Sequence, residues 1–374
     1  MSNEEEKNNK IFIKNVRDVL EEYVLHQAWD YNKNILVFDE GQRAWDAAHM
    51  ESKNKYRVSK SEPELLVEMM KKRCSWGVLL VLIGEGQAIN KGERGGVEQW
   101  AHAIDESWDV LCPNRLDLIF GRAHRLPLAN RQHLDLTVSL RTHLAEDINT
   151  FVNFILEGKF EEAKQLLPKI EKEGFHFYVT RDLNMAKEYC RKRYKTINEI
   201  ELKDKEDTLG DKEKSGKQGM DFNRYGILVS SKARGLKKHG IDNSYTSTKN
   251  IEADWFNKPM DELKSGGNFN SVVTEFGCQG LELDMPIVCW GNDMLWKKEQ
   301  NSWQFSKAAG TTEEDHDYRI NSYRVLLTRG RDGCIIFVPI DSQKDTADND
   351  TDENLYDEMY DMLKTSVGIE SLGV

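Results

Sequence analysis

Residues 35–46 read ILVFDEGQRAWD. A short apolar, β-favouring run ends at two carboxylates, Asp39 and Glu40, followed by a glycine. Ligands of open α/β sheets bind outside the C-terminal ends of strands, which is where this pair would lie. Adjacent acids suit a hydrolytic nucleotide site, with Asp39 holding a magnesium ion through water and Glu40 orienting and polarising the attacking water. On these residues alone the reading stays open between that chemistry and an ordinary solvated strand end.

Working outward, Trp76 to Ile83 is a second unbroken apolar run, which suits a strand buried on both faces of a parallel sheet. It runs into a glycine-rich loop, so that residues 82–96 read LIGEGQAINKGERGG. There Gln87 is placed to hydrogen-bond a terminal phosphate, against the alternative of a plain connecting loop. Helices are expected over Ile11 to His26, after Ser61 (with Pro63 and Glu64 as a start signal) and over Val97 to Trp108. Strands alternating with helices imply an α/β parallel sheet. The pattern restarts after about residue 125. Strands are expected at Leu134 to Leu140, Phe175 to Thr180, Tyr225 to Ser230, Val272 to Glu275, Pro286 to Trp290 and Cys334 to Pro339. Helices are expected at Asp147 to Leu156, Glu161 to Leu167, from Asn184 and over Ser322 to Thr328. Three domains follow: 1–125, 126–340, and an acidic tail with a closing helix over 341–374. Lys203 to Lys217 is charged and without apolar anchors, and reads as a disordered surface insertion.

Three later segments carry chemistry-bearing residues. In SLRTHLAEDINTFVNFIL (139–156) Arg141 follows a strand and precedes a helix. In TEFGCQGLELD (274–284) a polar turn bears Gln279, Gly280 and Glu282. In NSYRVLLTRGRDG (321–333) an apolar helix ends at Arg329 and Arg331. A guanidinium brought to a phosphate stabilises transition-state charge, so arginines at such junctions are candidates for that work.

The 374 residues are 39% hydrophobic, enough for true cores, and no apolar run approaches the roughly 20 residues of a bilayer span. The polar, acidic N-terminus lacks the apolar core of a signal peptide, so a cytoplasmic protein with no membrane partner is expected. Six cysteines stand singly, which indicates neither a zinc site nor a disulfide framework. The formal net charge is -12, and the stretch from Asp341 onward holds ten carboxylates against two lysines. Basic clusters at 115–131, 187–195 and 232–238 are therefore compatible with a local phosphate-binding surface.

These five segments, in this order, resemble superfamily 1 helicases, and most closely a Schlafen-related bacterial family of P-loop DNA/RNA helicase-like proteins. FDEGQRAWD resembles its Walker B motif, and GEGQAINKGERGGVEQW its third motif. SLRTHLAEDINTFV, TEFGCQGLELDMPIVCW and NSYRVLLTRGRDGCIIFVP resemble its fourth, fifth and sixth. VTRDL, GILVSSKARGL and DWFNKP also look familial. The resemblance implies two RecA-like parallel-sheet domains of P-loop NTPase type, with ATP and magnesium as cofactors and DNA or RNA as partner. It implies magnesium at Asp39, catalytic roles for Glu40, Gln87 (phosphate sensor), Arg141 and Arg329 (phosphate arginines), and cofactor-binding roles for Gln279, Gly280, Glu282 and Arg331. The sequence departs from the family in one respect. No GxxGxGK[ST] phosphate loop (Walker A) occurs in it, nor any Gly-Lys-Ser or Gly-Lys-Thr. The first domain is accordingly expected to be incomplete, missing the Walker A strand and helix. Two functions follow as expectations. One is the C-terminal portion of an ATP-dependent helicase or translocase whose phosphate loop is supplied elsewhere, for instance on a separate chain. The other is a non-catalytic nucleic-acid-binding or regulatory module.

Overall fold

The computed structural model describes residues 14–26, 34–52, 58–73, 75–84, 96–120, 131, 133–135, 145–194, 225–249, 251–259, 262–340 and 355–373. The chain divides into two compact units, Met1–Thr137 and Val138–Val374. Gln87, Arg141, the 203–217 insertion and most of the strand expected over 134–140 lie outside the described residues; Leu134 itself sits in a 3-10 turn.

In the first unit, β1 (Ile35–Phe38) and β2 (Val78–Val81) pair in parallel, Ile35 opposite Val78 and Phe38 opposite Val81. Alternation along each strand sends Leu36, Phe38, Leu79 and Val81 to one face. There they meet Val19 and Leu20 of helix Val16–His26, Leu65, Leu66 and Met69 of helix Glu62–Arg73, and Trp100. The start signal after Ser61 forms as a capping box. The Ser61 hydroxyl accepts from the Glu64 amide at 3.3 Å, and the Ser61 amide donates to the Glu64 carboxylate at 2.7 Å. The expectation that β2 is buried on both faces is not met. Val78 and Leu80 are 48% and 49% exposed, and Ile35 and Val37 on the same face are 60% and 56% exposed. Among the described residues the helices that cover this pair lie on one face only, so the continuous apolar run does not report two-sided burial.

The second unit is built on a six-stranded sheet, in which β3 (His176–Thr180), β4 (Tyr225–Val229), β5 (Val272–Thr274), β6 (Met285–Cys289), β9 (Gly333–Phe337) and β10 (Glu370–Ser371) take the order β10-β3-β9-β6-β4-β5. Every pairing is parallel. A parallel sheet needs helical cover on both faces, and both are covered. Ile227, Ile287 and Ile335 face Ala186, Cys190 and Tyr194 of the helical residues 183–194. On the opposite face Phe177 packs on Phe151 of helix Ala145–Leu156, ring centroids 4.6 Å apart. Helices Phe160–Lys172 and Glu313–Leu327 pack beside that helix.

Three features depart from the sequence reading. Helix 313–327 begins nine residues before the expected Ser322. Its early turns bury Asp315 and Arg319 rather than an apolar stripe, so periodicity misses them; a Thr312–Asp315 capping box marks the true start. Residues 294–305 form an antiparallel hairpin, β7 (Met294–Lys297) and β8 (Ser302–Phe305), pairing Trp296 with Trp303. Its turn lacks the Asn-Gly or Asp-Gly signal that betrays hairpins. The segment after residue 340 is not only a tail, because β10 joins the sheet beside β3. No helix among the described residues is long and apolar enough to cross a membrane.

Candidate functional site

The acidic strand end of the first unit is tied to its neighbour. Gly41 donates its amide to the Leu82 carbonyl at 2.7 Å, and Gln42 accepts from the Gly84 amide at 2.8 Å. The two loops therefore start side by side at the C-terminal edge of the strand pair. A Cβ on Gly41 would fall 2.2 Å from Val81 Cγ1, so this approach requires glycine. Trp100 Nε1 donates to the Gly41 carbonyl and Gln99 Nε2 to that of Ala44, fixing the turn from beneath. Glu40 sits in left-handed backbone, φ 57°, a conformation a non-glycine residue keeps only when its surroundings hold it. Gln42 Nε2 donates to the Glu40 carboxylate at 2.5 Å, and Asp39 Oδ1 accepts the Glu40 amide at 3.0 Å. Asp39 itself is exposed. Magnesium bound with nucleotide phosphates takes one or two protein carboxylates, which Asp39 and Glu40 can supply. Among the described residues no group of three or more His, Cys, Asp or Glu is arranged for a self-sufficient metal site.

In the second unit, Gln279 to Asp284 precede β6, and Arg329 to Asp332 precede β9. Both stretches thus lie toward the N-terminal edge of the sheet. They are stitched together by a parallel bridge between Leu283 and Gly330, with Leu283 donating to the Arg329 carbonyl and Arg331 donating to that of Leu283. Arg329 is 4% exposed. Its guanidinium donates to the Val325 carbonyl, the Thr328 hydroxyl and the Leu281 carbonyl, so it caps its own helix and reaches the Gln279–Asp284 turn. Arg331, by contrast, faces solvent and donates to Glu282 at 2.6 Å. Gly280 has φ +83° at the turn between.

Opposite these, at the C-terminal edge, lies a polar cluster that the sequence reading misses. Glu275, Asp293 and Arg319 are buried almost completely. Arg319 Nη1 donates to Glu275 at 3.0 Å and to the Ser230 hydroxyl at 2.7 Å, while its Nε lies 3.5 Å from Asp293. Ser230 and Tyr323 donate their hydroxyls to Asp293. Glu275 also accepts the amide and hydroxyl of Ser231, each at 2.8 Å. Two carboxylates thus share one guanidinium. Burial pushes the Asp293 carboxyl above its ordinary value despite the pull of Arg319, and a proton there makes the trio neutral. The sign follows. A raised folded pKa stabilises fully below the unfolded value of about 4, and that contribution is lost as pH rises through the folded value. Asp293→Asn should therefore gain stability relative to the parent as pH climbs above about 4. Paired urea melts across that range would show it, and parallel curves for the two proteins would refute it. The one local hint is Glu275 within the otherwise apolar VVTEF at the end of β5; Asp293 and Arg319 carry none.

The described cysteines fit a packing role. Cys112, Cys190, Cys278, Cys289 and Cys334 are free and buried, and burial pushes the Cys190 and Cys278 thiols up to about 12, far from a nucleophile.

Set against known proteins, residues 2–340 match one family model, described as Schlafen group 3, DNA/RNA helicase domain. No curated protein and no solved structure matches the chain.

Proposed function

The chain belongs to the Schlafen group 3 DNA/RNA helicase-domain family, and on that premise we propose that it is the nucleotide-responsive, nucleic-acid-gripping portion of a helicase or translocase. In this reading both units are RecA-like, and the phosphate loop comes from outside this sequence. The observation that carries it is the lateral tie between the strand ends: Gln42 to Gly84 and Gly41 to Leu82 hold the acidic turn beside the residues that lead into the glycine-rich stretch. Asp39 would hold magnesium through water, and Glu40 would orient the attacking water from its constrained turn. Bound magnesium would neutralise phosphate charge. Gln87 would sense the terminal phosphate and Arg141 would contact it, both on the strength of the family motifs. Gln279, Gly280 and Glu282 would pass the nucleotide state to the nucleic acid. Arg331, at the surface, would have to exchange Glu282 for an anion, and Arg329 would have to exchange its carbonyl partners to reach one.

The absence of Gly-Lys-Ser or Gly-Lys-Thr from all 374 residues favours a second reading, a module that binds nucleic acid without turnover. The test is phosphate release by the chain mixed with a polypeptide carrying a family phosphate-loop strand and helix, with and without single-stranded DNA or RNA. Release above the sum of the parts, abolished by Glu40→Gln, is expected. No gain in any mixture, with oligonucleotide binding intact, would leave only the non-catalytic reading.

A further inference from the structure

The loop after β4 presents Lys232, Arg234, Lys237 and Lys238, all exposed, at the C-terminal edge of the second unit's sheet. Between Ser230 and Ile241 there is no carboxylate, in a chain whose formal charge is -12. The backbone beneath these cations is held from several sides. Glu275 accepts the Ser231 amide, Asn292 accepts the Arg234 amide at 2.9 Å, and Asn243 Nδ2 donates to the Ser230 and Ala233 carbonyls. A Cβ on Gly291 would fall 2.2 Å from that of Ala233, so the loop after β6 presses directly against it. The Asn243 anchor brings the following turn to the same edge, and two residues on Tyr245 is 73% exposed with Lys249 Nζ 5.4 Å from its ring centroid. The next acid along the chain, Asp242, is occupied by Ser244 and Ser247, with Lys237 3.4 Å away.

Cations spaced along a rigid loop, beside an exposed aromatic ring, are what a single strand needs: phosphates meet the cations and a base stacks on the ring. Because the loop is already ordered, binding need not fix it. We propose that residues 231–239 and Tyr245 form a contact surface for single-stranded nucleic acid, with Lys232, Lys237 and Lys238 on the sugar-phosphate backbone and Tyr245 against a base. This rests on the nucleic-acid reading above and adds the surface that does the gripping.

The test titrates the full chain with fluorescent single-stranded DNA and RNA over a range of salt. It compares the parent, Lys232→Glu/Lys237→Glu, Tyr245→Ala, and a control with the same charge change at the opposite sheet edge, Lys169→Glu/Lys172→Glu. The paired loop reversal should weaken binding at least about tenfold and flatten the log–log salt slope by roughly 0.7 for each phosphate that is no longer neutralised. Tyr245→Ala should weaken it roughly tenfold with the slope kept. The control should change little. Parent binding that neither loop variant alters, or that the control weakens equally, overturns the surface and leaves the nucleic-acid reading standing. No parent binding at low salt overturns both.

Discussion

Replacing Arg319 with alanine should lower the stability of the second unit by about 3–5 kcal/mol, because it leaves the buried Glu275 carboxylate, with Asp293 beside it, without a cation. The loss exceeds that of any surface ion pair, such as Lys192 with Glu188, which is worth at most about 1 kcal/mol. Arg319→Lys keeps the charge and loses the fork that serves Ser230, Glu275 and Asp293 together, so it should fall between. Removing the carboxylates as well should recover much of the deficit, since the penalty comes from uncompensated charge. Equilibrium urea unfolding, followed by a probe confined to the second unit, measures all three. A change under about 1 kcal/mol for Arg319→Ala would mean that water enters the cluster and the trio is not closed.

A comparable loss, about 3–5 kcal/mol, is expected for Trp255→Ala. The indole is wholly buried, with Nε1 donating to the Ser271 carbonyl at 3.2 Å. It slots between two glycines. A Cβ on Gly226 would lie 2.3 Å from the ring, and one on Gly266 would lie 2.5 Å from it. Gly226 is inside β4, where glycine otherwise weakens a strand, so it is there to admit the ring. Gly226→Ala should cost about 1–3 kcal/mol by overpacking. In the Trp255→Ala background it should cost much less, because the space is then empty. Strictly additive losses in a double-mutant cycle would contradict the slot.

The legible part of this fold is what repeats. Apolar runs with turn residues at their ends locate β1, β3, β4, β6 and β9 to within a residue or two, and strand–helix alternation gives the parallel sheet. The motif strings locate the acidic turn at Asp39 and the paired turns at Glu282 and Arg331. What escapes depends on partners far away in sequence. Glu275, Asp293 and Arg319 look like surface charges because nothing local says that they neutralise one another in a closed space. The start of helix 313–327 is hidden for the same reason. Arg329 reads as a phosphate arginine, and no local signal shows that its guanidinium donates to carbonyls of its own helix and of the Gln279–Asp284 turn.

The strand order also bears on how the protein is made. β3 is flanked by β10 and β9, both synthesised after everything between Thr180 and Gly333. While the ribosome extends the chain, Phe177 and Val179 belong to a strand with two open edges. Long-range parallel pairing is slow to form, and unpaired apolar edges invite misassociation. The nascent second unit should thus be a client of holding chaperones until β9 emerges.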